Sequence, residues 1–158
     1  MDIIIITGKV NSGKTSLMKE LVQKEKDAGS SPTGIIAPGI FKAGIKTGYD
    51  AKDLTTGRRI RLARLNSTGK FVFYKKGFES SGRALLHFTD PGIVFLDEVG
   101  PLELKEKGHA ESLRILLDSG LDRLYLSVRD SCLEEVKKRF LSRKKHRITV
   151  MKVKDTSC

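Results

Sequence analysis

An eight-residue run near the N-terminus, Gly8-Lys9-Val10-Asn11-Ser12-Gly13-Lys14-Thr15, constrains this chain more than any other stretch. It matches G-x-x-x-x-G-K-[ST] without a departure, and each fixed position has a physical job. The glycines permit a tight loop whose backbone N–H groups point inward, so that a triphosphate can rest against a ring of donors. Lys14 adds a point charge for the β- and γ-phosphates, and the Thr15 hydroxyl, followed by Ser16, is placed to ligate Mg²⁺. A helix opening at about Gly13 contributes the partial positive charge of its N-terminus.

Such a loop needs a buried strand before it and a helix after it, and both are legible. Ile3-Ile4-Ile5-Ile6 is a β-branched apolar run of the kind found in parallel strands covered on both faces. Beyond Thr15, the residues Leu17, Met18, Leu21 and Val22 share one helical stripe, with Lys19, Glu20 and Lys24 opposite. The helix is expected to end near Ala28-Gly29.

A second constellation is Ile93-Val94-Phe95-Leu96-Asp97-Glu98, an apolar strand that runs into two acids. In phosphate-loop proteins this is the Walker B position. Asp97 is expected to hold Mg²⁺ together with Thr15, because that cation prefers hard oxygens and keeps several waters. Glu98 can orient or deprotonate an attacking water, chemistry that belongs to hydrolysis. Glu98 and Lys14 are therefore the expected catalytic residues, and Gly8 through Ser16 the nucleotide-binding ones.

With 158 residues the chain suits one well-packed domain, expected to span 1–158. No apolar run approaches the ~20 residues needed to cross a bilayer, and no secretory leader is legible, so a cytoplasmic protein without membrane contact is expected. Cys132 and Cys158 are too few for a disulfide framework and read as free thiols. The net charge of +11 is concentrated late, at Lys137, Lys138, Arg139, Arg143, Lys144, Lys145 and Arg147. A positive field draws polyanions, and nucleic acid is one reading of it. The solvated face of a late helix is the preferred reading, because no aromatic residues interleave with the charges. A monomer is expected.

Outside the loop, short β-like pieces at Gly34–Ile40, Ile45–Asp50, Arg58–Leu65 and Phe71–Tyr74 are separated by glycine-bearing turns and suggest antiparallel hairpins. A helix from about Gly77 to Phe88, the strand at 93–97, a helix over Glu111–Ser119 and a strand over Leu121–Val128 follow. A helix capped by Asp130-Ser131 and a last strand over Ile148–Val153 complete the chain. Strand–helix alternation implies an α/β fold, a mostly parallel sheet with helices on both faces and a hairpin insert. Ligands of such sheets bind at the carboxyl ends of the strands, where both motifs lie.

With Gly8–Thr15 followed by Asp97-Glu98-Val99-Gly100-Pro101-Leu102-Glu103, the chain resembles the THEP-type nucleoside-triphosphatases, first described in thermophiles. Their second motif, D-E-[IV]-G-x-[ML]-E, is matched from Asp97 to Glu103. Gly34-Ile35-Ile36-Ala37-Pro38 and the stretch from Ile45 to Gly57 are similar to the family's intervening segments. The resemblance implies a RecA-like phosphate-loop fold and slow Mg²⁺-dependent hydrolysis of ATP, GTP, CTP and UTP to the diphosphate and phosphate. It carries over Gly8–Thr15 as the loop, Asp97 as the magnesium partner and Glu98 as the base; it gives Glu103 no chemistry. The chain departs from the family at Ser127-Val128-Arg129-Asp130, where an I-P-x-P-like stretch is common.

Charge developing on the γ-phosphoryl group is normally met by an arginine. Arg129, at the expected tip of a core strand, is the first candidate for such a finger, with Arg59 and Arg83 behind it. Two other classes stay open. A nucleoside or nucleotide kinase would share the loop and could use the arginines of the insert, Arg58, Arg59, Arg61 and Arg64. A nucleotide-dependent nucleic-acid-binding protein would use the late basic cluster. No base-reading motif is present, so broad base specificity is expected.

Overall fold

The structure is a computed structural model that describes residues 1–89, 91–143 and 145–154. Two sets of strands with different pairing build one sheet. The parallel set is β1 (Asp2–Gly8), β2 (Thr33–Ile36), β7 (Ile93–Val99), β8 (Arg123–Arg129) and β9 (Arg147–Lys152). The antiparallel set is β3 (Gly39–Lys42), β4 (Ile45–Asp53), β5 (Arg59–Leu65) and β6 (Phe71–Phe73). Their order is β6-β5-β4-β2-β7-β8-β1-β9, with β3 paired to β4. The mostly parallel core with a hairpin insert is thus the expected architecture.

Alternation along the buried strands sorts the core into two layers. Ile3, Ile5, Leu96, Leu124 and Leu126 face one side, under α2 (Lys75–Leu85), α4 (Ala110–Leu117) and α5 (Leu133–Val136). Ile6, Phe95, Tyr125 and Ile36 face the other, under Met18 and Val22 of α1 (Lys14–Asp27). Phe95 and Tyr125 stack there with ring centroids 4.2 Å apart. Helices on both faces leave the ends of β1, β7 and β8 as the open edge at which polar chemistry can gather.

Several expected boundaries move. The piece read as Gly34–Ile40 is two strands on either side of Ala37-Pro38: β2 pairs in parallel with β7 and belongs to the core, and only β3 turns into the insert. Gly34 makes that close pairing possible. Its φ is 103°, and a Cβ on it would lie 2.2 Å from the Phe95 carbonyl oxygen. The second helix begins at Lys75, not near Gly77, and ends at Leu85. A short helix, α3 (Pro101–Leu104), was not anticipated, since four residues are too few for a periodic signal. The late helix is a composite of a 3₁₀ turn (Asp130–Cys132), α5 and a π-helical turn (Lys137–Leu141), with no side-chain cap.

The basic cluster follows the preferred reading where it is described: Lys138, Arg139, Arg143, Lys145 and Arg147 are exposed, and Arg139 pairs with Glu106 at 3.2 Å. Lys144 and Cys158 lie outside the described residues. Cys132 is a buried free thiol. No helix among the described residues is long and apolar enough to cross a membrane.

Candidate active site

The run Gly8–Thr15 joins β1 to α1 as a closed loop. Asn11 and Gly13 take left-handed conformations, with φ of 58° and 97°. A Cβ on Gly8 would meet Ser12 Oγ at 2.6 Å, so glycine allows the loop to fold back on itself. Lys14 is buried, and its ammonium donates to the carbonyls of Lys9 at 2.6 Å and Gly8 at 3.2 Å. Burial lowers its pKa, and Glu98 and Asp97 oppose that fall. The first turn of α1 has no side-chain cap, which leaves its N–H groups to the loop.

β7 delivers the acids. Asp97 is buried at its tip, two strands from β1, and reaches the loop through its side chain: Thr15 Oγ1 donates to Asp97 Oδ2 at 2.8 Å. The Ala37 N–H donates to the same oxygen at 2.8 Å. Asp97 Oδ1 accepts from the Ser127 hydroxyl of β8. Thr15 and Asp97 thus bring two hard oxygens together across the β1–β7 gap, a donor set suited to Mg²⁺. Among the described residues, no group of three or more acidic, histidine or cysteine side chains is placed to hold a metal ion by itself. A cation held there would draw its remaining ligands from water and phosphate.

Glu98 departs from strand geometry. The β7–β8 register slips between Leu96 and Val99, and Glu98 adopts φ 65°, a left-handed conformation costly for a residue with a Cβ. Ser127 Oγ accepts the Glu98 N–H at 2.8 Å, and Asp97 Oδ1 lies 3.1 Å from the same nitrogen. This kink turns the Glu98 carboxylate out of the sheet into the space beside Lys14. Burial and the neighbouring Asp97 raise its pKa, while Lys46, Lys14 and Arg129 pull it down.

Two cavities meet at these residues. One, of about 270 Å³, is lined by Asn11, Ser12, Gly13, Lys14, Thr15 and Ser16 of the loop, with Glu98 and Lys46. The other, of about 240 Å³, runs from Val10, Asn11, Lys14, Glu98 and Arg129 toward Tyr49, Phe71 and Phe73 of the insert. Arg129 is the one arginine lining either cavity among the described residues. Arg59 faces Asp50 at 4.0 Å and is largely exposed, and Arg83 lines a separate cavity beside α2 and α4. The carboxylate of Glu103 is buried and accepts the N–H groups of Gly100 at 2.8 Å and His109 at 2.9 Å. It holds the loop around α3 together, and Glu103 lines the second cavity with Lys14 and Glu98.

A family model described as NTPase matches residues 3–156. The chain belongs to that nucleoside-triphosphatase family. Among curated relatives, the nucleoside-triphosphatase THEP1 of Methanopyrus kandleri is 30% identical over 131 residues, covering 78% of this chain and 71% of that protein. The THEP1 of Methanothermobacter thermautotrophicus is 29% identical over 145 residues, covering 86% and 81%. The fold is also that of THEP1 from Aquifex aeolicus, with a TM-score of 0.72 at 18% identity over 96% of this chain and 89% of that one. A human cancer-related nucleoside triphosphatase shares it with a TM-score of 0.75 at 21% identity, over 99% and 90%. The Gly8–Thr15 loop and the Asp97-Glu98 strand tip therefore stand in a fold shared with these proteins.

Reading the sequence alone missed Ser127, Lys46 and Tyr49 as members of this site. Ser127 carried a signal: it is the one polar residue inside Leu124-Tyr125-Leu126-Ser127-Val128. Lys46 and Tyr49 lie in the family-like stretch from Ile45 to Gly57, but nothing in that likeness ties them to the phosphate loop, which they reach only through the folding of the insert.

Proposed function

We propose that this member of the nucleoside-triphosphatase family hydrolyses ATP, GTP, CTP and UTP to the diphosphate and phosphate, with Mg²⁺ and at a low rate. The observation that carries the reading is the kinked Glu98, whose carboxylate enters the same cavities as Lys14. Loop N–H groups and Lys14 bind the β- and γ-phosphates. Thr15 and Asp97 would hold Mg²⁺, which when bound neutralises phosphate charge and fixes the triphosphate's orientation.

Glu98 then orients a water on the γ-phosphorus. The water oxygen forms the new P–O bond, the β–γ bridging oxygen leaves with the diphosphate, and Glu98 accepts the proton. Arg129 is the candidate for arginine help, and a single arginine from the protein's own strand fits a slow enzyme. Broad base specificity follows from a site whose named groups all address phosphate or water.

Phosphate release from the four nucleotides, with and without Mg²⁺, tests this reading. Release from several of them that requires the metal is expected. Transfer of phosphate to an added nucleoside in place of release would refute it in favour of a kinase.

A further inference from the structure

The terminal phosphoryl group served by Lys14 and Glu98 must lie where the two cavities join. Four residues line both: Asn11, Lys14, Glu98 and Lys46. The first three belong to the motifs. Lys46 comes from β4, in the antiparallel insert, and belongs to neither the Gly8–Thr15 loop nor the Asp97–Glu103 run.

The local structure holds Lys46 in place. Lys42 pairs with Ile45 across a two-residue turn whose Ala43 and Gly44 have φ of 51° and 77°, the left-handed pair of a tight hairpin. The next residue, Lys46, stands opposite Phe41. Its stem crosses Gly39, where a Cβ would lie 3.3 Å from Lys46 Cε. Its ammonium sits 5.1 Å from the centroid of the Tyr49 ring, within cation–π range. The side chain is only 18% exposed, an unusual degree of burial for a lysine. The Glu98 carboxylate lies 3.8 Å from Nζ, too far for a hydrogen bond, so this contact leaves the ammonium's donors uncommitted. A preorganised cation with donors to give, aimed at the junction of the two cavities, is what a developing phosphoryl charge requires.

We propose that Lys46 is a catalytic residue of the hydrolysis, its ammonium meeting the oxygens of the terminal phosphoryl group from the insert side as Lys14 does from the loop. The antiparallel insert then has a chemical role, because it carries the cation usually sought among arginines. The inference rests on the hydrolase reading above.

The test compares wild type with Lys46→Ala, Lys46→Arg and, from the same hairpin, Lys42→Ala. Phosphate release gives kcat, and calorimetry gives the affinities for Mg·ADP and for Mg·ADP with aluminium fluoride, a mimic of the transferring phosphoryl group. Lys46→Ala should lower kcat about 10²–10³-fold, the loss typical of removing one transition-state donor. It should weaken the aluminium fluoride complex by a similar factor and leave Mg·ADP affinity and melting temperature near wild type. Lys46→Arg should recover part of the rate, and Lys42→Ala should match wild type. An unchanged kcat in Lys46→Ala overturns the proposal. So does a loss of rate, Mg·ADP affinity and melting temperature together without rescue by arginine, since that describes a structural lysine. A wild type that hydrolyses no nucleotide overturns the hydrolase reading instead.

Discussion

Ser127 offers the sharpest quantitative prediction, because one buried hydroxyl serves both acids. It donates to Asp97 Oδ1 and accepts the Glu98 N–H at 2.8 Å, and the residue has no exposed surface. Ser127→Ala removes both bonds while filling nearly the same volume. A hydrogen bond to an ionised carboxylate contributes about 1.5–3 kcal/mol, and a buried donor left badly paired costs about 1–3 kcal/mol. Some of this is recovered. Asp97 keeps its bonds from Thr15 and Ala37, and the Glu98 N–H keeps a contact of 3.1 Å to Asp97. The net loss is therefore about 2–4 kcal/mol. At about 2–4 °C per kcal/mol for a chain of this size, the melting temperature should fall by about 4–16 °C. Urea unfolding should show a lower midpoint with an unchanged slope. Because the hydroxyl also pins the left-handed Glu98, kcat should drop by up to about 10²-fold, the effect of a misplaced catalytic group. Stability within about 0.5 kcal/mol of wild type would refute the claim that this hydroxyl clamps the acidic tip of β7.

The two buried titratable groups behind the site should oppose each other in pH dependence. Burial pushes Glu103 up to about 7 and His109 down to about 4, from ordinary values of 4.5 and 6.5. Folded Glu103 holds a proton that the unfolded chain has lost between pH 4.5 and 7, so its contribution falls as pH rises through that window. Folded His109 lacks a proton that the unfolded chain holds between pH 4 and 6.5, so its contribution rises with pH there. In wild type the two slopes largely cancel. Glu103→Gln, which keeps an acceptor for the Gly100 N–H, should unmask the histidine as a gain of about 3 kcal/mol from about pH 4 to about 6.5 in urea titrations. A flat profile in that variant would contradict the assignment. Gly34→Ala should cost about 3 kcal/mol or more, because its φ of 103° is strained for alanine and the added methyl meets the Phe95 carbonyl. An unchanged urea midpoint would contradict the close β2–β7 pairing.

What was legible in the sequence was whatever is contiguous. Gly8–Thr15 and Asp97-Glu98 are short runs in which backbone geometry and chemistry coincide, so the loop, its flanking strand and helix, and the acidic strand tip could all be read. The hairpin character of residues 34–76 was also readable, from its glycine turns. The split at Ala37-Pro38 was not, since β2 becomes a core strand only by pairing with β7, far along the chain. The same separation hid Lys46, which faces Glu98 only after β3 and β4 have folded against the core. The kink at Glu98 depends on a register slip and a hydroxyl from β8, neither of which periodicity can reveal. Glu103, part of a recognised motif, turned out to bind two backbone N–H groups, a role visible only when Gly100 and His109 stand beside it.

The proposed role of Glu98, activation of the water that cleaves the triphosphate, underlies the whole reading of this site. A single-turnover measurement on the Mg·ATP complex of Glu98→Gln tests it most directly, with nucleotide binding followed in the same sample. With Glu98 as the base, ATP should still bind while phosphate release falls by about 10²–10⁴-fold, the contribution of a general base. Release at the wild-type rate from bound ATP would contradict that role and place the proton acceptor elsewhere.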